Sequence, residues 1–394
     1  MTPSNEHFLS ARTSRRRLIV AGGALFGGAA LAACGGGKKD KDSTASSESG
    51  ADDAAAASSL YFANWPAYID EDAPTTVDLF QEASGITMKY TTEYNDNNEY
   101  FAKVFPVLQD GKTIDPDILP PTFWMAGRFI TLGYAEKLPL SDIPNAANLT
   151  DNLVNPPWDP TGEYTLPWQS GMAGIAYNRK VTGRDLTTID DLWDPAFKGK
   201  IGLLTEMRDT VGLVALGQGV DLSKPTFSAM EKALEILEKQ VADGQVRQFT
   251  GNDYMDDLTQ GNFAACVGWS GDIAQLSRDN PDVRFVVPES GGTLWSDVML
   301  IPKGAKHTSA AAKWMDFVYD PVNAARITNF VQYVSPVKGV AEELTKMGGD
   351  AAALVDNPLI FPDEATLANL NSWGNLSEDD EAKLDAAFSK IAGN

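Results

Sequence analysis

Leu60-Tyr61-Phe62-Ala63-Asn64-Trp65-Pro66-Ala67-Tyr68 reads as a short apolar strand that runs straight into a turn carrying two aromatic side chains. Two further stretches repeat the pattern. Val267-Gly268-Trp269-Ser270-Gly271-Asp272 and Thr293-Leu294-Trp295-Ser296-Asp297-Val298 each set a Trp beside a strand end, with an Asp within three residues. Outward from Leu60, short apolar runs alternate with helical patterns, which predicts an α/β architecture with largely parallel sheets. The expected strands are Leu60 to Ala63, Thr87 to Thr91, Ile118 to Leu119, Ile175 to Tyr177, Ile201 to Leu204, Ala264 to Gly268, Val283 to Val287 and Val298 to Ile301. Phe227, Met230, Leu234, Leu237 and Val241 recur at helical spacing, with Thr226 to cap the start and Gly244 to close the end. A second helix is expected over Ser309 to Tyr319, broken by Asp320-Pro321 before a third from Asn323 to Phe330.

A chain of 394 residues, 43% apolar and 22% charged, is long enough for about two domains with proper cores. Its formal charge of −22 repels a phosphate backbone and an anionic membrane surface alike, so nucleic acid is not an expected partner. Cys34, Cys266, His7 and His307 are the whole stock of Cys and His. That stock excludes a disulfide scaffold and a Cys/His zinc site, and it leaves little for a His-centred triad. The sequence also lacks G-x-S-x-G, a P-loop and H-E-x-x-H. No cofactor or metal is expected. Cys266 lies in an apolar run and reads as a buried thiol of a core strand.

The first residues read as an address. Ser14-Arg15-Arg16-Arg17-Leu18 leads into an apolar stretch of Ala and Gly that ends Leu31-Ala32-Ala33-Cys34. The ending resembles the lipobox of bacterial lipoproteins, which implies a signal peptide over 1–33 and a lipidated Cys34. The paired arginines resemble a twin-arginine export signal, although ordinary secretory signals are basic too. Residues 34–59 carry no large apolar side chain up to Leu60 and read as a disordered tether. The expected location is the outer face of the cytoplasmic membrane.

No second soft linker follows, so two domains would be joined at ordered strands, as in a hinge. In open α/β sheets ligands bind at the carboxyl ends of strands, so Trp and Asp placed there face a crevice. Aromatic faces attract ammonium groups and carboxylates pair with them, which together make a box for an organic cation.

At this point the chain resembles a known family. Leu60 to Asp70, with Asn64-Trp65 and Tyr68, is similar to the opening of the spermidine/putrescine-binding proteins of bacterial polyamine ABC importers. The likeness continues in order through Glu93-Tyr94 to Tyr100, Asp117 to Pro120, Tyr164 to Trp168, Asp191-Leu192-Trp193, Leu203-Leu204-Thr205 with Arg208, Trp269 to Asp272, Gly292 to Asp297 and Tyr333. The resemblance implies a two-lobe, type II periplasmic-binding-protein fold with the ligand held between the lobes. It divides the chain into lobe 1 over 60–176 plus 298–343 and lobe 2 over 177–297 plus 344–394.

The same resemblance makes Trp65, Tyr68 and Phe123 the lining of one side, and Trp269, Asp272, Trp295 and Asp297 the aromatic walls and carboxylates. It has Tyr333 closing from the returning segment, and an acidic loop at Thr205 to Thr210 in which Asp209 is slightly preferred to Glu206. Pro66-Ala67 and Pro121 replace hydroxyl-bearing residues common in the family, which leaves the identity of the amine open. The implied function is capture of putrescine or spermidine for delivery to membrane permease subunits, without covalent chemistry and as a monomer. The competing readings are another small cation or a sugar in the same fold, and an extracellular hydrolase using two of Asp209, Asp272 and Asp297.

Overall fold

A computed structural model describes residues 58–150 and 158–393. The expected signal peptide, Cys34 and all but the last two residues of the expected tether lie outside these. The remainder is built on two sheets. Strands β1 (Ser59–Asn64) and β2 (Thr87–Thr92) pair in parallel in the first. The second contains β3 (Thr165–Asn178), β4 (Ile201–Leu204), β5 (Val246–Thr250), β6 (Ala265–Trp269), β7 (Val283–Val286), β8 (Gly292–Leu300) and β9 (Leu370–Asn371). Its order is β5-β4-β6-β3-β8-β9, with β7 also paired to β3.

The expectation of largely parallel sheets needs correction. β4 lies parallel to β5 and β6, but β3 runs antiparallel to β6, β7 and β8. The reason lies in β3 itself, which is 14 residues long and buried throughout. Its first half packs in one hydrophobic core through Leu166 and Trp168, and its second half in another through Ile175, Ala176 and Tyr177. Antiparallel pairing with β8, from Thr165 opposite Leu300 to Ala173 opposite Thr293 with one register shift between Pro167 and Gln169, returns the chain between the two cores.

The two cores make the two lobes. The first gathers residues from Leu60 to Trp168 and from Val298 to Ala351, around Phe62, Phe80, Trp168 and Trp314. The second gathers residues from Ile175 to Val283 and adds Trp373, Leu384 and Phe388 from the returning end of the chain. Cys266 is fully buried in β6, and burial holds its thiol above the usual range.

Helix Phe227–Ala242 forms as its periodicity predicts, with the Thr226 hydroxyl accepting from Ala229 N and Gly244 left-handed just beyond the end. Asp320-Pro321 does not leave a gap. Asp320 caps, and Pro321 opens, the helix Pro321–Val331, because a proline at the first helical position forfeits no hydrogen bond. β8 starts well before Val298, so Trp295 and Asp297 lie within the strand rather than beside its start.

Candidate ligand-binding site

A cavity of about 730 Å³, part of it open to solvent, is lined from both cores. Trp65, Tyr68, Phe123, Asp209, Trp269, Asp272, Trp295, Asp297 and Tyr333 all line it. Their elements explain the convergence. β1 ends at Asn64, whose side chain accepts from Trp65 N at 2.8 Å, and Ala67 turns with φ of 54° to bring Tyr68 inward. Trp269 is the last residue of β6, and Asp272 sits in the first turn of helix Ser270–Asp279 directly after it. The Tyr333 ring lies on that turn so closely that a Cβ on Gly271 would meet it at 2.5 Å.

Three carboxylates are held by designated donors. Asp297 accepts from Tyr68 Oη at 2.8 Å and from Thr122 Oγ1 at 2.7 Å. Asp272 accepts from Tyr333 Oη and Tyr254 Oη, both at 2.9 Å. Asp209 accepts from Trp269 Nε1 at 2.8 Å and Thr293 Oγ1 at 2.7 Å. All three are buried to within a few per cent, so their ionised forms are costly despite these bonds. Burial pushes Asp272 up to about 6, against the pull of its two tyrosines. Burial likewise pushes Asp297 up to about 7, opposed by Thr122 and Tyr68 and helped by the Asp209 charge. Asp209 is raised by burial as well, while Trp269 and Thr293 restrain the shift.

Glu206 also lines the cavity, so the stretch Thr205 to Thr210 sends both of its acids inward. Their partners differ. Asp209 has both oxygens occupied by short bonds, whereas Glu206 receives only long ones, from Asn97 Nδ2 at 3.4 Å and Arg208 N at 3.4 Å. Glu206 is half-buried by surface area, with its exposed part toward the cavity. Removal from bulk water comes first, and then the Asp96 and Asp209 charges, in pushing it up to about 8.

Asp96, Asn97, Thr122, Trp124, Arg208 and Trp373 line the cavity too, and sequence reasoning did not single them out as ligand contacts. Trp124 alone carried a local signal, as the neighbour of Phe123. Among the described residues Arg208 is the one cationic side chain of the lining, and it is spent on Glu381 at 3.0 Å with its guanidinium 4.1 Å from the Trp124 ring. Elsewhere, Ser59, His307 and Asp117 fall in line at 3.3 and 3.0 Å, but Asp117 also holds Tyr61 N and His307 N, and none of the three lines the cavity. Among the described residues no cluster of acids, His and Cys could hold a metal ion, and no helix is long and apolar enough to cross a membrane.

Comparison with known proteins agrees with this geometry. The chain is 26% identical over 320 residues to the spermidine/putrescine-binding periplasmic protein of Escherichia coli K12, covering 80% of this chain and 86% of that one. It is 27% identical over 354 residues to the putrescine-binding periplasmic protein SpuD of Pseudomonas aeruginosa, covering 84% and 91%. Among solved structures, the substrate-binding protein PotD of a spermidine/putrescine ABC transporter from Streptococcus pneumoniae superposes with a TM-score of 0.69 at 25% identity. That match covers 84% of this chain and 98% of the other. The family model for bacterial extracellular solute-binding proteins matches residues 75–361, and the chain belongs to that family.

Proposed function

We propose that this protein captures a polyamine, putrescine or spermidine, outside the cytoplasmic membrane and delivers it to the permease subunits of an ABC importer. One observation carries the reading: among the described residues, Asp96, Glu206, Asp209, Asp272 and Asp297 bring five carboxylates to the cavity against one cation, Arg208. Asp209, Asp272 and Asp297 each hold two short hydrogen bonds, and a carboxylate has about four lone-pair sites, so each keeps room for further N–H groups. Glu206 is freer still. The one cationic lining residue is already paired. An alkyl ammonium has only donors to offer, and its methylene chain suits the walls of Trp65, Phe123, Trp269 and Trp295. The protein then performs no covalent chemistry, because it binds and releases its ligand unchanged.

The lobes close over the ligand, since contacts from both sides exist together only in the closed state. β3 and β8 serve as the hinge, with lobe 1 taken as 60–176 plus 298–343 and lobe 2 as 177–297 plus 344–394. The chain works as a monomer, lipid-anchored through Cys34 and held off the membrane by residues 35–59. The relatives named above that carry a location in their names are periplasmic.

Titration with putrescine and with spermidine, followed by Trp fluorescence and calorimetry, tests the reading. Saturable binding of at least one amine, recovered unchanged afterwards, is expected. Binding of neither, or turnover of an amine or a glycoside, would sink it.

A further inference from the structure

The two lobes meet along a rim at the edge of the cavity. On the first lobe it is the loop Asn95-Asp96-Asn97, between the core residues Tyr94 and Tyr100. On the second it is Thr205-Glu206 at the end of β4 together with Gly251 after β5, joined by the bond from Thr205 N to Thr250 O at 2.8 Å. Asp96 uses Oδ1 to cap helix Asn97–Gln109, accepting from Asn98 N at 2.8 Å and Glu99 N at 3.0 Å. Its Oδ2 accepts from Thr205 Oγ1 across the rim at 3.0 Å. The capping geometry therefore aims the second oxygen at the opposite lobe.

Gly251 faces the same loop with no room to spare. A Cβ there would lie 2.7 Å from the Asn95 carbonyl oxygen, 2.8 Å from Asn95 Oδ1 and 2.9 Å from Asn95 Nδ2. Its φ is not in the left-handed region, so the backbone conformation alone does not call for glycine. It does not line the cavity either. Building on the polyamine-capture reading, we propose that Gly251 is a positioning residue for lobe closure: its missing side chain lets the Asn95–Asn97 loop shut against Thr205-Glu206, and so sets ligand affinity without touching the ligand.

Gly251→Ala tests this in the full chain, because the substitution removes no cavity-lining side chain and presses only on Asn95. Overpacking by one methyl against a backbone carbonyl weakens the closed state, and the expected loss of affinity is roughly five- to hundredfold. The factor should be the same for putrescine and spermidine and should lie in faster dissociation, with association close to wild type. Small-angle scattering of the amine-saturated variant should show a larger radius of gyration than wild type, while its ligand-free melting temperature stays close to wild type. Thr205→Val, which keeps shape and removes the hydroxyl that reaches Asp96, should shift affinity and scattering in the same direction by a smaller amount.

Wild-type affinity in Gly251→Ala, a loss confined to one amine, or unchanged scattering of the saturated form overturns the inference. If wild type binds neither amine, the polyamine reading fails by itself, and the closure role is then judged from ligand-free scattering. Coincident ligand-free curves for wild type and Gly251→Ala overturn it in that case.

Discussion

Asp297→Asn separates charge from shape at the centre of the cavity. The side chain is 5% exposed, and Tyr68 and Thr122 both donate to it. An amide in the same place keeps one acceptor, and either hydroxyl can rotate to accept from the new NH2, so the local packing survives. What disappears is the charge that would pair with an ammonium group in a water-poor site. Truncating one partner of a buried charge pair costs about 2 to 5 kcal/mol. At about 1.4 kcal/mol per tenfold, that is a loss of roughly thirty- to several-thousand-fold in affinity. An exposed carboxylate would cost at most about 1 kcal/mol.

The assay is calorimetric titration with putrescine and spermidine at pH 8, above the value of about 7 to which burial drives Asp297, so that the wild-type carboxylate is ionised. Ligand-free melting should move the other way. The native Asp297 holds its proton to higher pH than an unfolded Asp does. Wild-type stability therefore declines as pH rises from about 4 through about 7, and the Asn variant escapes that decline. A variant that melts normally and loses less than about fivefold in affinity refutes the pairing of Asp297 with the ligand.

Polyamine affinity in the wild type should fall by about tenfold between pH 8 and pH 6 on Asp297 alone, because binding draws on the ionised carboxylate and is lost as pH falls through about 7. Tyr68, Thr122 and Asp209 face that group, and calorimetry in buffers of different ionisation enthalpy should register proton release; a flat profile counts against the coupling. Trp295→Ala should weaken binding by about 0.5 to 2 kcal/mol from lost cation–π contact, beyond the packing area, and wild-type affinity would make Trp295 a packing residue only. Trp269→Phe keeps a ring but removes the donor to Asp209, and a weakening of about 1 to 3 kcal/mol is expected by titration, with no change contradicting that role. Cys34→Ala should move the protein from membrane to soluble fractions with an unaltered melting curve, and full retention on the membrane would remove the lipid anchor.

Much of this arrangement is written in local pattern, and the remainder is not, for physical reasons. Ile201–Leu204 is a fully buried strand and shows as a plain apolar run. Val246–Thr250 is an edge strand with Arg247 and Gln248 exposed, so its sequence carries no such run. The first half of β3 was hidden too, since Pro167, Gln169, Ser170 and Gly171 interrupt any alternation, yet the strand is buried because the lobes cover both its faces. In the cavity, the Trp and Asp residues at strand ends stood out by type. Asn97 and Thr122 did not, because a polar residue in a loop looks the same whether it meets solvent or a buried carboxylate. The choice between Glu206 and Asp209 was decidable in principle. A helix capped by Glu206 places Asp209 three residues on, on the same face, and both then point into the cleft.

The charges of the cavity and the fit of the rim belong to one equilibrium. Asp96 stands on the first lobe and Glu206 on the second, and the Asp96 charge helps raise Glu206 to about 8. Bringing the lobes together without a cation therefore costs repulsion across the rim and desolvation of the carboxylates deeper in. A proton on Glu206 removes part of that cost, and so does an ammonium group among Glu206, Asp209, Asp272 and Asp297. A neutral ligand of the same shape fills the space but leaves the repulsion in place. Shape fixes which molecules enter, and the tight approach at Gly251 fixes how far the lobes can shut. On the polyamine reading, charge decides whether they stay shut.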